Sequence, residues 1–164
     1  MTAGKSRRKP KSMLSVFESI KQKLDEKGIE YTLTHHEEVR TSEEAARVRG
    51  VSQHTGAKAL VLFGSKKKMN WLFVLPADMQ LDSKKARLIV GDNVTFAMDV
   101  EKVVDCVRGS VPPFGSLLGL QTYCDAHLAE NEEINFNAGT LTDSIKMKYA
   151  DYIAIENPTI VDIV

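Results

Sequence analysis

Residues 56–75 read GAKALVLFGSKKKMNWLFVL, and this stretch decides the fold. Two apolar runs, Ala59–Phe63 and Trp71–Leu75, flank the polar segment Gly64–Asn70, which carries three consecutive lysines. Short apolar runs on either side of a polar turn are typical of paired strands. The stretch therefore predicts a central β-hairpin with a basic turn.

Helices and strands alternate on both sides of this hairpin. With Ser12 as N-cap, apolar residues recur at helical spacing from Leu14 to Leu24, and Gly28 ends that helix. Ile29–His35 alternates as a strand does. Further helices are predicted from Thr41 to Gly50, from Ser83 to Gly91, over Val100–Val107 and over Thr142–Tyr149, and further strands over Val94–Met98, Leu120–Tyr123, Ile134–Phe136 and Tyr152–Ile155.

Several of these strands are joined by turns too short for a parallel crossover, so the sheet should be mixed or rich in antiparallel pairs. We expect an α+β domain, a curved mixed β-sheet flanked by helices. With 164 residues, 43% of them hydrophobic, the chain suits one domain over residues 13–164. No segment is long and apolar enough for a membrane helix or a signal peptide, so we expect a cytoplasmic protein.

The formal net charge of +0 hides a basic leader at residues 1–12. It holds five of the 22 basic residues and no acid, which leaves 17 basic against 22 acidic residues, a balance of −5 for the rest. Such a tail is expected to be disordered, and it could contact phosphate or be an unattached leader. The mildly acidic remainder argues against DNA binding.

The sequence shows no pattern for a metal, a nucleotide or a catalytic triad. Cys106 and Cys124 stand apart and are expected to be buried thiols. The adjacent His35 and His36 would point to opposite faces of a strand, and no HExxH, GxGxxG or P-loop pattern is present. We therefore expect no cofactor and no metal.

Four features remain as candidate chemistry, each with a purely structural alternative. Lys58 enters an apolar strand, where its ammonium either meets an anion or carbonyl or extends to solvent. The proline-stiffened segment Gly109–Gly115 could present backbone N–H groups to an oxyanion or simply connect two elements. Asn137–Thr140 could expose N–H groups ahead of a helix or form an ordinary turn. A basic cluster, Lys66–Lys68 with Lys84, Lys85 and Arg87, could contact an RNA backbone or be solvated.

Taken in order, these pieces resemble one family, the YbaK and prolyl-tRNA-synthetase-insertion domain family of trans-editing aminoacyl-tRNA deacylases. The resemblance extends from about Leu14 onward. It is carried by TSEEAARVRGV from Thr41, by the lysine of GAKALVLF, by a GxxxP loop over Gly109–Pro113 that continues as PFG, and by FNAG followed by a helix ending near Asp151.

The resemblance implies hydrolysis of the ester between an amino acid and the terminal ribose of tRNA. It makes Lys58, Gly109 and Pro113 the expected catalytic positions, with a mechanism that uses the substrate's own groups and no protein nucleophile. The expected substrate contacts are His35 (or its neighbour His36), Ser110, Val111, Pro112, Phe114, Gly115, Asn137 and Gly139.

The substrate is an aminoacyl-tRNA carrying a wrong, small amino acid, on proline tRNA or a related tRNA. In the branch of the family that removes alanine, asparagine commonly follows the lysine, whereas Ala59 follows it here. Alanine, cysteine and serine therefore all remain open. The expected partners are aminoacyl-tRNA and an aminoacyl-tRNA synthetase, with no membrane and no DNA. The alternatives are a non-catalytic RNA- or nucleotide-binding module and a synthetase-associated subunit.

Overall fold

The fold was analysed in a computed structural model that describes residues 14–164. The basic tail lies outside these residues. The N-cap expected at Ser12 was wrong, because the first helix begins at Val16 and its N-cap is Ser15, whose hydroxyl accepts from the N–H of Glu18. Six helices are described: α1 (Val16–Glu26), α2 (Ser42–Arg49), α3 (Ser83–Val90), α4 (Val100–Val104), α5 (Gly115–Leu118) and α6 (Tyr149–Glu156). Eight strands are described: β1 (Tyr31–His35), β2 (Ala57–Gly64), β3 (Met69–Pro76), β4 (Val94–Phe96), β5 (Gln121–Asp125), β6 (Glu133–Asn137), β7 (Asp143–Lys148) and β8 (Thr159–Val161).

The strands form two sheets. One has five strands in the order β4-β2-β3-β5-β8, with antiparallel β2–β3 and β2–β4 pairs and parallel β3–β5 and β5–β8 pairs. The other is antiparallel, in the order β1-β7-β6. A single parallel bridge between Gly56 and Asn135 joins the two. The predicted mixed α and β architecture is confirmed, although the strands divide into two sheets.

The predicted hairpin is confirmed as β2 and β3, which pair from Ala57 with Pro76 to Gly64 with Met69. Both faces of this hairpin are buried. Val61, Leu72 and Val74 pack into the larger core, which also contains α1, α6 and the three-stranded sheet. Leu62 and Trp71 pack into a second core beneath α3. Burial on both faces explains why these strands read as continuous apolar runs without alternation.

The C-terminal third differs from the prediction. The segment expected to be a helix over Thr142–Tyr149 is the strand β7, and the strand expected over Tyr152–Ile155 lies inside α6. In β7, Ile145 is buried and Lys146 is exposed, which is the period of a strand. Asn137 therefore ends β6 and residues 138–140 lie in the turn to β7, so the expectation that this segment precedes a helix was wrong.

Smaller differences concern the ends of elements. The helix expected over Val100–Val107 ends at Val104, because Asp105 adopts a left-handed conformation with φ 54°. The short elements α5 and β8 were not predicted. Both cysteines are buried, as expected. Among residues 14–164, no helix has the length and apolar character that crossing a bilayer requires.

Candidate active site

A cleft of about 480 Å³ lies where α2, the first half of β2 and the loop after α4 meet. Its wall includes Arg49, Lys58, Gly109, Val111 and Asn137. The predicted lysine and the predicted loop thus border the same space. A volume of this size is typical of pockets for small ligands or for one end of a larger one.

The cleft exists because β2 is only partly covered by its edge strand. β4 pairs with Leu62–Gly64 alone, while Ala57–Val61 lines the cleft. The N–H of Ala97 donates to the carbonyl oxygen of Val61 at 3.0 Å, so odd-numbered residues of β2 turn their backbone groups toward this edge. No strand of the described chain pairs with Ala59 on that side, which leaves its backbone facing the cleft.

Lys58 is half-buried at this open edge, and its ammonium is already held by the protein. Nζ donates to the carbonyl oxygen of Met79 at 2.9 Å. Burial lowers the pKa of Lys58, and the nearby carboxylate of Asp78 opposes that shift. A lysine ammonium has three N–H donors, so two remain for a substrate.

The loop that begins at Gly109 is fixed because its backbone carbonyl groups accept hydrogen bonds from residues outside the loop. Gly109 has φ 89°, a left-handed conformation that favours glycine. Asn137 Nδ2 donates to the carbonyl oxygen of Gly109 at 2.6 Å, and the N–H of Gly139 donates to that of Ser110 at 3.0 Å. The turn between β6 and β7 therefore positions the loop.

The second part of the loop, residues 113–115, is buried in the core. The hydroxyl of Tyr152 donates to the carbonyl oxygen of Pro113 at 2.7 Å. Phe114 packs edge-on against Phe136 and Tyr152, with ring centroids 5.5 and 5.4 Å apart. A Cβ at Gly115 would lie 2.5 Å from the carbonyl oxygen of Leu120. These contacts anchor the loop from its core side.

Sequence reasoning missed Arg49, the last residue of α2. Its guanidinium donates to Ser144 Oγ at 2.8 Å, to Asn135 Oδ1 at 2.7 Å and to Asn137 Oδ1 at 2.7 Å. Burial lowers its pKa to about 10. The sequence did contain a signal for Arg49. It follows the buried Ala45 by four residues and so lies on the core-facing side of the helix.

The charged side chains among the described lining residues of the cleft are all positive. Arg40, Arg49, Lys58 and Arg108 line it, and no Asp, Glu or His side chain is found among its lining residues in the described part of the chain. Arg40 is exposed and pairs with Glu38, which lies outside the cleft, and Arg108 is exposed. Such a cleft attracts an anionic ligand.

The comparison with known proteins agrees with this geometry. Residues 36–155 match the sequence profile of the aminoacyl-tRNA editing domain. The chain is also 36% identical over 145 residues to the multifunctional Ser/Thr-tRNA deacylase ProXp-y of Escherichia coli (strain K12), which covers 85% of this chain and 87% of that protein. This chain belongs to the aminoacyl-tRNA editing domain family.

One further relative and one solved structure are also similar to this chain. The prolyl-tRNA editing protein ProX of Acetoanaerobium sticklandii is 31% identical over 103 residues, 61% of this chain and 63% of that one. A solved structure of a protein proposed to be a trans-editing enzyme for prolyl tRNA synthetase has a TM-score of 0.77 over 92% of this chain and 98% of that chain. At 24% identity it shows the shared fold. The resemblance read from the motifs is confirmed, and with it the enzyme class, an aminoacyl-tRNA deacylase.

Within this editing domain, only some of the expected site residues border the cleft. Lys58, Gly109, Val111 and Asn137 do. The other loop residues expected in the site, Ser110 and the run from Pro112 to Gly115, are buried and do not line it. Gly139 contributes its N–H to the loop.

The two histidines also lie outside the lining of the cleft. His35 Nδ1 lies 2.9 Å from Asp143 Oδ1, on a side chain that is 77% exposed. His36 Nε2 lies 2.7 Å from Ser144 Oγ, the hydroxyl that also accepts from Arg49. Within residues 14–164, no three His, Cys, Asp or Glu side chains gather as a metal ion would need.

The anchoring of the loop can be tested with Tyr152→Phe. The change leaves the carbonyl oxygen of Pro113 buried without the hydroxyl that donates to it, so the free energy of unfolding should fall by about 1–3 kcal/mol. Urea unfolding followed by circular dichroism measures this. Tyr149→Phe on the same helix is the control, because its hydroxyl makes no hydrogen bond to the described residues, and equal losses in both variants would contradict the anchoring role.

Proposed function

We propose that this editing domain hydrolyses tRNA mischarged with serine or threonine, and that the reaction takes place in the cleft between Lys58 and the Gly109 loop. The enzyme acts in trans in the cytoplasm, on aminoacyl-tRNA released by a synthetase or held next to one. The observation that carries this proposal is a cleft lined by four cations and no carboxylate, beside a rigid glycine loop.

The choice of amino acid is supported by the E. coli relative, a deacylase named for Ser- and Thr-tRNA. The cleft itself suits a small side chain with a hydroxyl group. Small residues such as Ala45, Ala59 and Ala97 form part of the wall, and the amide of Asn137 supplies polar contact. A hydroxyl on the substrate could bond to such a group, whereas an apolar methyl could not.

The charge of the cleft supports tRNA as the carrier of the amino acid. The 3′ end of a tRNA brings phosphodiester groups next to the esterified ribose, and cations around the cleft attract and orient them. A carboxylate in the same place would repel the phosphates and pair with the cations. The exposed Arg40 and Arg108 suit phosphates, while the more buried Lys58 and Arg49 are closer to the position of the ester.

Hydrolysis needs a water oxygen to add to the ester carbonyl carbon and the bond to the ribose oxygen to break. The ribose oxygen leaves with one proton of the water, and the amino acid leaves as a carboxylate after releasing the other. Because no carboxylate or imidazole is among the described lining residues, protons pass through water or the neighbouring ribose hydroxyl. The protein contributes orientation and stabilisation of the carbonyl oxygen as it becomes negative.

A panel of mischarged tRNAs tests the amino acid. Seryl- and threonyl-tRNA should be deacylated at least tenfold faster than alanyl- and cysteinyl-tRNA, because a bonded hydroxyl group discriminates by more than one methyl group does. Loss of ³H- or ¹⁴C-labelled amino acid from acid-precipitable tRNA gives the rates. Faster removal of alanine would overturn the choice of amino acid, and no turnover on any member would overturn the deacylase function itself.

Lys58→Met removes the ammonium and keeps the length of the side chain. The turnover number divided by KM should fall about 10²- to 10³-fold, as it does when one donor to a developing oxyanion is lost. Lys27→Met, at the exposed end of α1, is the matched control and should retain activity. The thermal unfolding midpoint checks that both variants fold, and wild-type rates in Lys58→Met would remove Lys58 from the site.

Arg108→Gln tests whether phosphate is bound at the rim of the cleft. Affinity for uncharged tRNA should weaken, and the slope of log K against log salt should become shallower by about 1, because one phosphate contact is lost. Fluorescence anisotropy at several salt concentrations measures both quantities. Lys27→Gln, at the end of α1, is the control, and an unchanged slope in Arg108→Gln would argue against a phosphate contact there.

A further inference from the structure

Arg49 is a partly buried cation whose protein partners are all neutral. The three acceptors are the hydroxyl of Ser144 and the amide oxygens of Asn135 and Asn137. Within residues 14–164 its guanidinium forms no ion pair, and its lowered pKa has burial as its cause with no acid opposing it. A cation placed in this way costs free energy unless an anion reaches it. The open side of Arg49 is the cleft.

The partners of Arg49 fix its place between the two walls of the cleft. Asn135, which accepts from one end of the guanidinium, donates to Thr55 Oγ1 at 2.7 Å, just before β2 begins. Asn137, which accepts from the other end, donates to the carbonyl oxygen of Gly109 at 2.6 Å. One hydrogen-bonded chain therefore runs from the start of β2, through Arg49, to the glycine loop.

A guanidinium carries five N–H donors, and the three contacts use one from Nε and one from each terminal nitrogen. One N–H on each terminal nitrogen is left. Both belong to one planar guanidinium, and donors in such a plane can bind an oxygen anion. They lie on a side chain that is already held by three hydrogen bonds, so little reorganisation accompanies binding.

We propose that Arg49 is a catalytic residue whose two remaining N–H groups donate to the carbonyl oxygen of the substrate ester. This inference rests on the deacylase function proposed above. When water adds to the carbonyl carbon, the π electron pair moves onto this oxygen, and the guanidinium stabilises the resulting negative charge. The pair then returns, and the bond from carbon to the ribose oxygen breaks as that oxygen takes a proton from the added water.

The first test separates catalysis from binding with Arg49→Ala and Arg49→Lys. Turnover by Arg49→Ala should fall about 10²- to 10³-fold with KM within about threefold of the wild-type value, because the interaction forms in the transition state. Arg49→Lys should recover part of the loss, since it keeps the charge without the paired donors. Arg47→Ala, exposed on the same helix, is the control.

Two results would overturn the proposal. One is turnover by Arg49→Ala within threefold of the wild-type enzyme. The other is a loss confined to KM and to affinity for uncharged tRNA, which would identify Arg49 as a phosphate contact of the terminal nucleotide.

A second test asks whether Arg49 acts through its charge or only by supporting Asn137 and the loop. Guanidinium at tens of millimolar, added to Arg49→Ala, should raise turnover at least tenfold. N-methylurea, which has a similar shape and no charge, should not. Equal rescue by both would show that the vacated space only needs filling, and absence of rescue by guanidinium would equally count against a catalytic charge.

A third measurement does not depend on turnover. Inorganic phosphate, a tetrahedral anion, should shift the Nε–H resonance of Arg49 and the amide resonance of Gly109 in ¹H–¹⁵N spectra of the wild-type protein. The Gly109 shift should persist in Arg47→Ala and vanish in Arg49→Ala. If Arg49→Ala is unfolded, Arg49→Lys replaces it, and its Gly109 shift should be smaller than that of the wild-type protein. With no turnover on any tRNA but these shifts present, the deacylase function fails and the oxyanion subsite stands. Shifts that are absent, or unchanged in the Arg49 variants, overturn the subsite.

Discussion

The site depends on a strand edge that is left without a partner. β2 is covered on both faces and paired along its whole length with β3, yet β4 pairs with only its last three residues. The edge around Ala59 is therefore held rigidly by the rest of the sheet while remaining open to a ligand. An open edge would normally invite another chain. Here α2 and the glycine loop flank it, which limits access to something small.

The opposite wall is rigid for a different reason. Gly109 and Ser110 are held from the side by Asn137 and Gly139 and from behind by the packed residues from Pro113 onward. Tyr152 and Phe114 fill the core beneath Pro113, so the proline pair cannot shift without opening that core. A site that stabilises a developing charge needs its donors fixed before the reaction, and burial behind the loop supplies that fixation. Stability of the core and geometry of the cleft are thus coupled.

The features that depend on residues close together in the sequence were predicted correctly. The hairpin, the helix closed by Gly50 and the lysine at the start of β2 follow from periodicity and turn residues. The segment Thr142–Tyr149 was assigned as a helix, although most of it forms the strand β7, whose partners β1 and β6 lie elsewhere in the chain. The next segment was then assigned as a strand although it forms α6.

The cleft was predictable only in part for the same reason. Lys58 and the glycine loop carry recognisable sequence signals, and both border it. The position of the Arg49 guanidinium depends on its hydrogen bonds to Asn135 and Asn137, which lie in a strand more than eighty residues later. Pro113 faces the core because Tyr152, 39 residues along the chain, bonds to its carbonyl. Contacts of this range cannot be read from spacing in a single sequence.

The composition of the cleft also constrains the chemistry. The lining of described residues offers cations and backbone groups but no side chain that would exchange a proton near neutral pH. A carboxylate placed there as a general base would pair with Arg49 or Lys58 and reduce the positive potential that holds a phosphodiester. The cleft therefore favours the binding of a phosphodiester over general-base catalysis by a side chain. In the proposed mechanism, protons come from water and the ribose, and the protein supplies fixed positive charge at the carbonyl oxygen.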